Sequence, residues 1–350
     1  MATVLLVSKP LAPPWNDGSK NLARDVAEGM TRHLPRVLIP ADGPWRPRRA
    51  ALEVLRGPAS PSTLAHLALG APADLWHFFF APNPRTSHAA RVLRRLRPTP
   101  TVHTVCSRPR DLSRAGRLLF ADRTVVLSKA TERALRDAGA TVVRIPPCAP
   151  RLDPPTREAQ RAARRRLGLP DGVPLIVFPG DLEHGEGATR VLGAHSLLQG
   201  DAVLAMACRT KTPAAAETER RLRATAREGV FWVGETPAIH DLLGAADVVA
   251  LPSSDLYAKV DLPLVLLEAM RLGRPVVVAE DAPAAELAED GGALAVAPDR
   301  DALAAALTTL LADDGARADL GARARRVAME RYDAAPMVAA YERLYDELLG

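Results

Sequence analysis

Twelve short runs rich in β-branched and other apolar residues punctuate the chain. In the first half they are Thr3–Ser8, Arg36–Ile39, Asp74–Phe80, Thr99–Val105, Arg123–Leu127 and Thr141–Ile145. In the second they are Pro174–Phe178, Ala202–Ala207, Val230–Val233, Val248–Leu251, Pro275–Ala279 and Ala293–Ala297. Many lack strict polar alternation, as strands covered on both faces do. Helical stretches separate most of them. This βαβ order predicts parallel sheets sandwiched by helices, an α/β protein of two Rossmann-like domains with about six strands each.

The boundary falls at Ile145–Thr156, where five prolines in twelve residues make a stiff, non-helical connector. A basic helix, Arg157–Leu167, follows. Leu169–Pro174 then turns the chain into the first strand of the second domain. The division is thus 1–150, 151–332 and a terminal helix within 333–350. That helix, Ala335–Leu349, starts after a break at Asp333. Its Met337, Val338, Tyr341, Leu344 and Leu348 make one apolar stripe, so it is expected to pack back towards the N-terminal domain. The Pro- and Arg-rich stretch Ala41–Arg56 reads as an exposed loop leading into a short helix.

Composition narrows the classes. The 350 residues are 47% apolar and 25% charged, which excludes a disordered or fibrous chain. With aromatics at 4%, the cores must be built from Ala, Leu and Val. No apolar run approaches the ~18 residues of a membrane-spanning helix. The N-terminus lacks the basic and apolar regions of a signal peptide, so a cytoplasmic location is expected. Cys106, Cys148 and Cys208 are scattered and form no CxxC pair, which points to structural thiols.

Charge is divided unevenly. Residues 1–150 carry a net charge of +13 and the remainder −8, within a total of +5. The basic half is suited to an anionic surface or phosphates. On the helix His88–Arg97, Arg91, Arg94 and Arg95 share one side with His88, and Val92, Leu93 and Leu96 lie largely opposite. That face could meet anionic lipid headgroups or a lipid-linked acceptor, which would place the protein at the periphery of the inner membrane face. Nucleic acid is not favoured as a partner, because no helix-turn-helix, zinc site or aromatic stacking platform is evident.

The segment Asp247–Leu311 resembles the C-terminal domain of family 4 glycosyltransferases. LPSSDLYAKVDLPLVLLEAMRLGRPVVV is similar to that family's PS…E-x-FG…EAMA-x-G-x-PVV core. RYDAAPMVAAYERLYDELL resembles its closing helix, and VLLVSKPLAPPWNDGSKNLARDVA its first strand, loop and helix. The resemblance implies the GT-B architecture, two Rossmann-like domains facing across a cleft. It also implies a retaining, metal-independent transfer of a hexose from a nucleotide diphosphate sugar, with no further cofactor.

The chemistry agrees with such a donor. Helix N-termini offer unpaired backbone N–H groups to phosphates. The helix opening near Leu264 and Val265, with proline in its first turn, would hold the diphosphate. Glu268 sits where the family's second motif glutamate grips ribose hydroxyls. Its apolar neighbours suggest partial burial, and a buried carboxylate needs partners. Gly18 and Ser19 match the family's glycine loop touching the donor, although Ser19 also reads as a helix N-cap. His103, at the end of a strand, resembles the histidine that contacts the transferred sugar. His77, among bulky neighbours, reads as core.

This chain also departs from the family. The first motif glutamate is replaced by Val260, leaving Asp261 as the nearest carboxylate. After the first strand of the second domain the sequence is FPGDLEHGEGATR (Phe178–Arg190), with Asp181 and Glu186 where the family has Arg and Lys. Two anions beside a dianion would cost several kcal/mol at close range. Arg209 and Lys211, just past the strand Ala202–Ala207, could replace the lost cations, and Gly180, Gly185 and Gly187 leave room for a backbone cradle. The alternative to an enzyme is a scaffold or regulatory protein of the same shape that has lost donor binding.

Overall fold

The structure is a computed structural model describing residues 1–41, 43–46, 50–55, 59–70, 72–255 and 260–350. It divides into two compact units. The first holds a seven-stranded parallel sheet in the order β3-β2-β1-β4-β5-β6-β7. Its strands are β1 (Thr3–Val7), β2 (Leu34–Pro40), β3 (Ala51–Leu55), β4 (Leu75–Phe80), β5 (Thr101–Val105), β6 (Arg123–Val126) and β7 (Val143–Arg144). The helices between them are α1 (Gly18–Gly29), α2 (Ala59–Leu69), α3 (Pro84–Leu96), α4 (Ala115–Leu118) and α5 (Lys129–Asp137). Short oxygen-bearing side chains open three of these helices. Asp17, Asn83 and Ser128 accept backbone N–H groups of the first turns of α1, α3 and α5, satisfying donors the helix leaves free.

Strand β3 corrects the expected loop within Ala41–Arg56. It pairs parallel with β2, Arg36 opposite Ala51 and Ile39 opposite Val54. Glu53 is ion-paired to Arg36. Its alternation is masked by the Pro- and Arg-rich surroundings, and only pairing with β2 makes it a strand. The rest of that stretch includes residues outside the described set.

The second unit carries a six-stranded parallel sheet, β10-β9-β8-β11-β12-β13. These are β8 (Leu175–Phe178), β9 (Val203–Met206), β10 (Val230–Trp232), β11 (Val248–Leu251), β12 (Val276–Ala279) and β13 (Leu294–Val296). The helices are α6 (Arg157–Arg166), α7 (Gly187–Leu197), α8 (Pro213–Thr225), α9 (Ile239–Ala245), α10 (Leu264–Arg271), α11 (Glu286–Glu289), α12 (Arg300–Ala312) and α13 (Asp314–Arg331). Every residue of β8, β9, β11 and β12 is buried, which accounts for their unbroken apolar sequences.

The last helix, α14 (Ala334–Leu349), begins at an Asp333 cap and belongs to the first unit. Met337, Val338, Tyr341 and Leu344 of the apolar stripe are buried, and Tyr345 joins them. A Cβ on Gly29 would lie 2.6 Å from the Val338 side chain, so glycine lets α1 and α14 approach closely. Glu342 accepts the backbone N–H groups of Thr31 and Arg32. In one respect the division differs from the sequence reading: Val260, Asp261 and Leu262 pack with the first unit, not the second.

Candidate functional site

Ligands of open parallel sheets bind at the carboxyl ends of the strands, where the strand order reverses. In the second unit that point lies between β8 and β11. The loop after β8 contains Gly180, whose Cβ would fall 2.0 Å from the buried Phe178 ring. Gly185 has φ +74, and a Cβ there would meet the Asp255 carbonyl oxygen at 2.3 Å. The Ser254 N–H donates to the Gly185 carbonyl at 3.2 Å. At Gly187, the first residue of α7, a Cβ would lie 2.0 Å from Ser253 Oγ. The glycines are therefore required here, but the space they leave is filled, by the Phe178 ring at Gly180 and by the loop after β11 at Gly185 and Gly187.

The two anions of this loop have local partners. Asp181 accepts the Glu183 N–H at 2.8 Å, closing its own turn. Glu186 is exposed and pairs with Arg190 at 3.1 Å. Arg190 was not singled out in the sequence, although its spacing of four from Glu186 is the signal of a helical ion pair. Its guanidinium also donates to the Pro252 carbonyl at 3.0 Å and to Ser254 Oγ at 2.6 Å. Ser253 Oγ is buried and has no hydrogen-bond partner among the described residues.

Arg209 and Lys211 follow β9, which lies beside β8. Arg209 is half-buried, with no partner among the described residues, and Lys211 is exposed. The nearby acids are occupied: Glu217 pairs with Arg220 and Glu219 with Arg223. Thr212, the cap of α8, donates to Glu183 and ties this loop to the loop after β8.

Helix α10 starts after Pro263 with no side-chain cap. The backbone N–H groups of Leu264 and Val265 are the first two donors of that open end; Leu264 is buried and Val265 half-buried. The Glu268 side chain is 12% exposed and lies 3.3 Å from His240 Nε2, on α9. His240 is a partner the sequence pattern did not reveal, because the contact is made between two helices.

In the first unit, Asp17 is the N-cap of α1, replacing Ser19 in the role expected for it. The Ser19 hydroxyl donates to Asp17 Oδ1 at 2.6 Å, and Lys9 pairs with the other oxygen. Burial acts to raise the Asp17 pKa. Hydrogen bonds from Lys9, Ser19 and the Lys20 N–H outweigh it and hold the carboxyl well below the usual carboxylate range. Gly18 is the first residue of α1. The Lys20 amine donates to the Ala12 carbonyl and lies 5.3 Å from the Trp15 ring centroid.

Asp261 does not project from a loop towards a ligand. It is 3% exposed, its N–H donates to the Cys106 carbonyl at 2.8 Å, and its carboxylate accepts the Ser128 hydroxyl. Ser128 in turn accepts the Thr131 N–H at 3.1 Å, so Asp261 is linked to the opening of α5. Burial pushes its carboxyl pKa up, and the Ser128 hydrogen bond offsets part of that. Val260, at the missing glutamate's position, is buried in the same core.

His103 is corrected as well. It is the third of five residues of β5, not its end, and it is fully buried. Its ring packs 4.5 Å from Phe80 and 4.8 Å from Phe120, centroid to centroid. Nε2 lies 3.1 Å from the Phe80 carbonyl, so it carries the proton, and Nδ1 has no partner among the described residues. Burial lowers its pKa to about 4 despite that hydrogen bond. His77 is core as expected, between Tyr345 OH at 2.6 Å and Thr104 Oγ1 at 2.8 Å. The three cysteines are buried, and none is joined in a disulfide among the described residues.

Of Arg91, Arg94 and Arg95 on α3, the first two are turned to backbone carbonyls of residues 116–120, and Arg95 is left without a partner among the described residues. Val92 and Leu96 are exposed and Leu93 is buried, so the helix does not have the opposed faces expected of it. No helix among the described residues is long and apolar enough to cross a membrane.

Residues 159–327 match the family model of glycosyl transferases group 1. A comparison with curated proteins gave no match to the sequence. Among solved structures, HepE of Anabaena in complex with UDP-glucose superposes with a TM-score of 0.78 at 17% identity, over 99% of this chain and 100% of that one. Sucrose-phosphate synthase of Thermosynechococcus elongatus gives 0.79 at 21% identity, over 99% of each chain. WaaG, a glycosyltransferase of lipopolysaccharide biosynthesis, gives 0.70 at 16%, over 99% of this chain and 100% of that one. The two-unit Rossmann-like fold is therefore shared with these proteins.

Proposed function

We propose that this chain, whose residues 159–327 match the family model of glycosyl transferases group 1, is a hexosyltransferase that moves a sugar from a nucleotide diphosphate to an acceptor hydroxyl with retention of configuration and without a metal. The observation that carries the reading is the open N-terminus of α10 with Glu268 one turn inside it, within the matched segment. The Leu264 and Val265 amides would receive the diphosphate and Glu268 the ribose hydroxyls, with His240 orienting the carboxylate. Arg209, without a partner among the described residues, and Lys211 would supply the charge that Asp181 and Glu186 do not. UDP-glucose bound to HepE supports a nucleotide sugar as the donor class.

In the reaction the C1–phosphate bond breaks and the C1–acceptor oxygen bond forms on the same face. The acceptor proton leaves with the departing diphosphate oxygen. The protein's part is to place both substrates and stabilise the leaving-group charge. His103 and Asp261 are assigned to the architecture of the first unit, since both are buried in it. Gly18 and Ser19, at the carboxyl end of β1, remain its candidates for contact with the transferred sugar. A role in cell-surface polysaccharide or glycolipid synthesis agrees with WaaG as a structural neighbour.

A specific observation favours the scaffold alternative: the glycine loop is closed over by Ser253 and Asp255, and Val260 replaces a carboxylate. Thermal shift with UDP-, GDP- and dTDP-sugars separates the two, because a bound donor raises the melting temperature by mass action. Glu268→Ala should weaken the stabilising nucleotide at least several-fold in calorimetry without unfolding the protein. Absence of any stabilising nucleotide, or unchanged affinity in Glu268→Ala, would overturn the assignment.

A further inference from the structure

The first unit contains a second polar site unrelated to the carboxyl ends of its strands. In a parallel βα array the helices run back against the strands, so the last turn of α3 lies where β5 and β6 begin. There an open groove of about 610 Å³ is lined by Arg91, Arg94, Arg95, Asp122, Leu348 and residues 98–100. Its size is that of a small-molecule pocket.

Two of the three guanidinium groups are fixed in place. Arg91 donates to the carbonyls of Gly116 and Leu119 at 3.3 and 3.2 Å. Arg94 bonds the Phe120 carbonyl and the Asp122 carboxylate. Asp122 is already saturated, for its other oxygen accepts the Thr101 N–H at 2.8 Å and hydroxyl at 2.9 Å. One carboxylate therefore faces three guanidinium groups, leaving a local excess of two positive charges. Arg95 is exposed, with no partner among the described residues, so its planar donors are available to a ligand.

Leu348, Pro98 and Pro100 form the groove's apolar wall. Arg97 joins the ends of α2 and α3 by donating to the Leu67 and Gly70 carbonyls. Planar guanidinium donors match a phosphate, and apolar side chains beside them suit a phosphate attached to an apolar or glycerol-like body.

We propose that this groove binds the phosphate group of a small phosphoester, with Arg95 as the mobile contact and Arg91 and Arg94 as the fixed positive wall. Two arms test it on the full chain. Calorimetry with sn-glycerol 3-phosphate reads a soluble phosphate, and co-sedimentation with phosphatidylglycerol vesicles against phosphatidylcholine reads one carried on lipid. Arg95→Glu, at an exposed position, should weaken whichever arm binds at least tenfold, while Arg95→Lys retains part of the affinity. Leu348→Trp, which fills the groove from α14, should weaken it too. Binding in the first arm alone assigns a soluble ligand, and in the vesicle arm alone a lipid. No binding in either arm, or wild-type affinity in Arg95→Glu, would overturn the proposal.

Discussion

His103 permits a quantitative test of the first unit, because its ring is fully buried and its pKa is lowered from 6.5 to about 4 by that burial. The depressed value means the folded protein binds fewer protons than the unfolded chain between these two pH values. Stability from this residue is therefore fully present above pH 6.5 and is lost as pH falls towards 4. At 1.36 kcal/mol per unit, the shift corresponds to about 3 kcal/mol lost between pH 7 and pH 4. That is a large share of the roughly 5–15 kcal/mol by which a folded domain is stable. His77, whose pKa burial also lowers, acts in the same direction, so the wild-type slope alone does not isolate His103. His103→Gln keeps a donor for the Phe80 carbonyl and removes the titration. Urea unfolding of both proteins at pH 7, 5.5 and 4, followed by circular dichroism, should show the variant losing about 3 kcal/mol less across this interval. The reasoning fails if the two slopes coincide, or if the His103 imidazole titrates near 6.5 by NMR. In that event the ring is in contact with solvent, and a sugar contact returns as its role.

Three further outcomes follow from the geometry. Arg209→Ala combined with Lys211→Ala should weaken binding of the nucleoside diphosphate at least tenfold, at roughly 1.5–3 kcal/mol per charge-assisted bond, and leave nucleoside binding nearly unchanged in calorimetry; equal losses for both ligands would remove the pair from the phosphates. The raised Asp261 pKa means that its protonated form suits the fold, so its contribution is present below the ordinary carboxylate pKa and lost as pH rises through the raised value. Asp261→Asn should abolish that component of the unfolding free energy, and a variant with the wild-type pH slope would refute it. Gly185→Ala places a side chain at φ +74 and against the Asp255 backbone; it should cost about 1–3 kcal/mol in denaturant unfolding, and a neutral result would show that the two loops are not locked together.

Much of the fold is legible in the sequence because strands covered on both faces must be apolar throughout. All twelve predicted runs form strands, and the break at Asp333 is a helix cap. The signature of the second unit is similarly local: an uncapped helix start followed by Glu268 is a pattern of neighbours along the chain. What tertiary structure alone decides concerns residues whose partners are distant in sequence. Strand β3 exists because β2 offers it an edge. Asp261 became an anchor because Ser128, 133 positions away, lies against it. His240 was invisible until α9 met α10. His103 falls inside because the Phe80 and Phe120 rings close over a strand whose sequence is equally compatible with an exposed end. Alternation and capping act over a few residues and can be read directly, whereas burial of a polar side chain depends on which distant groups the fold brings to cover it.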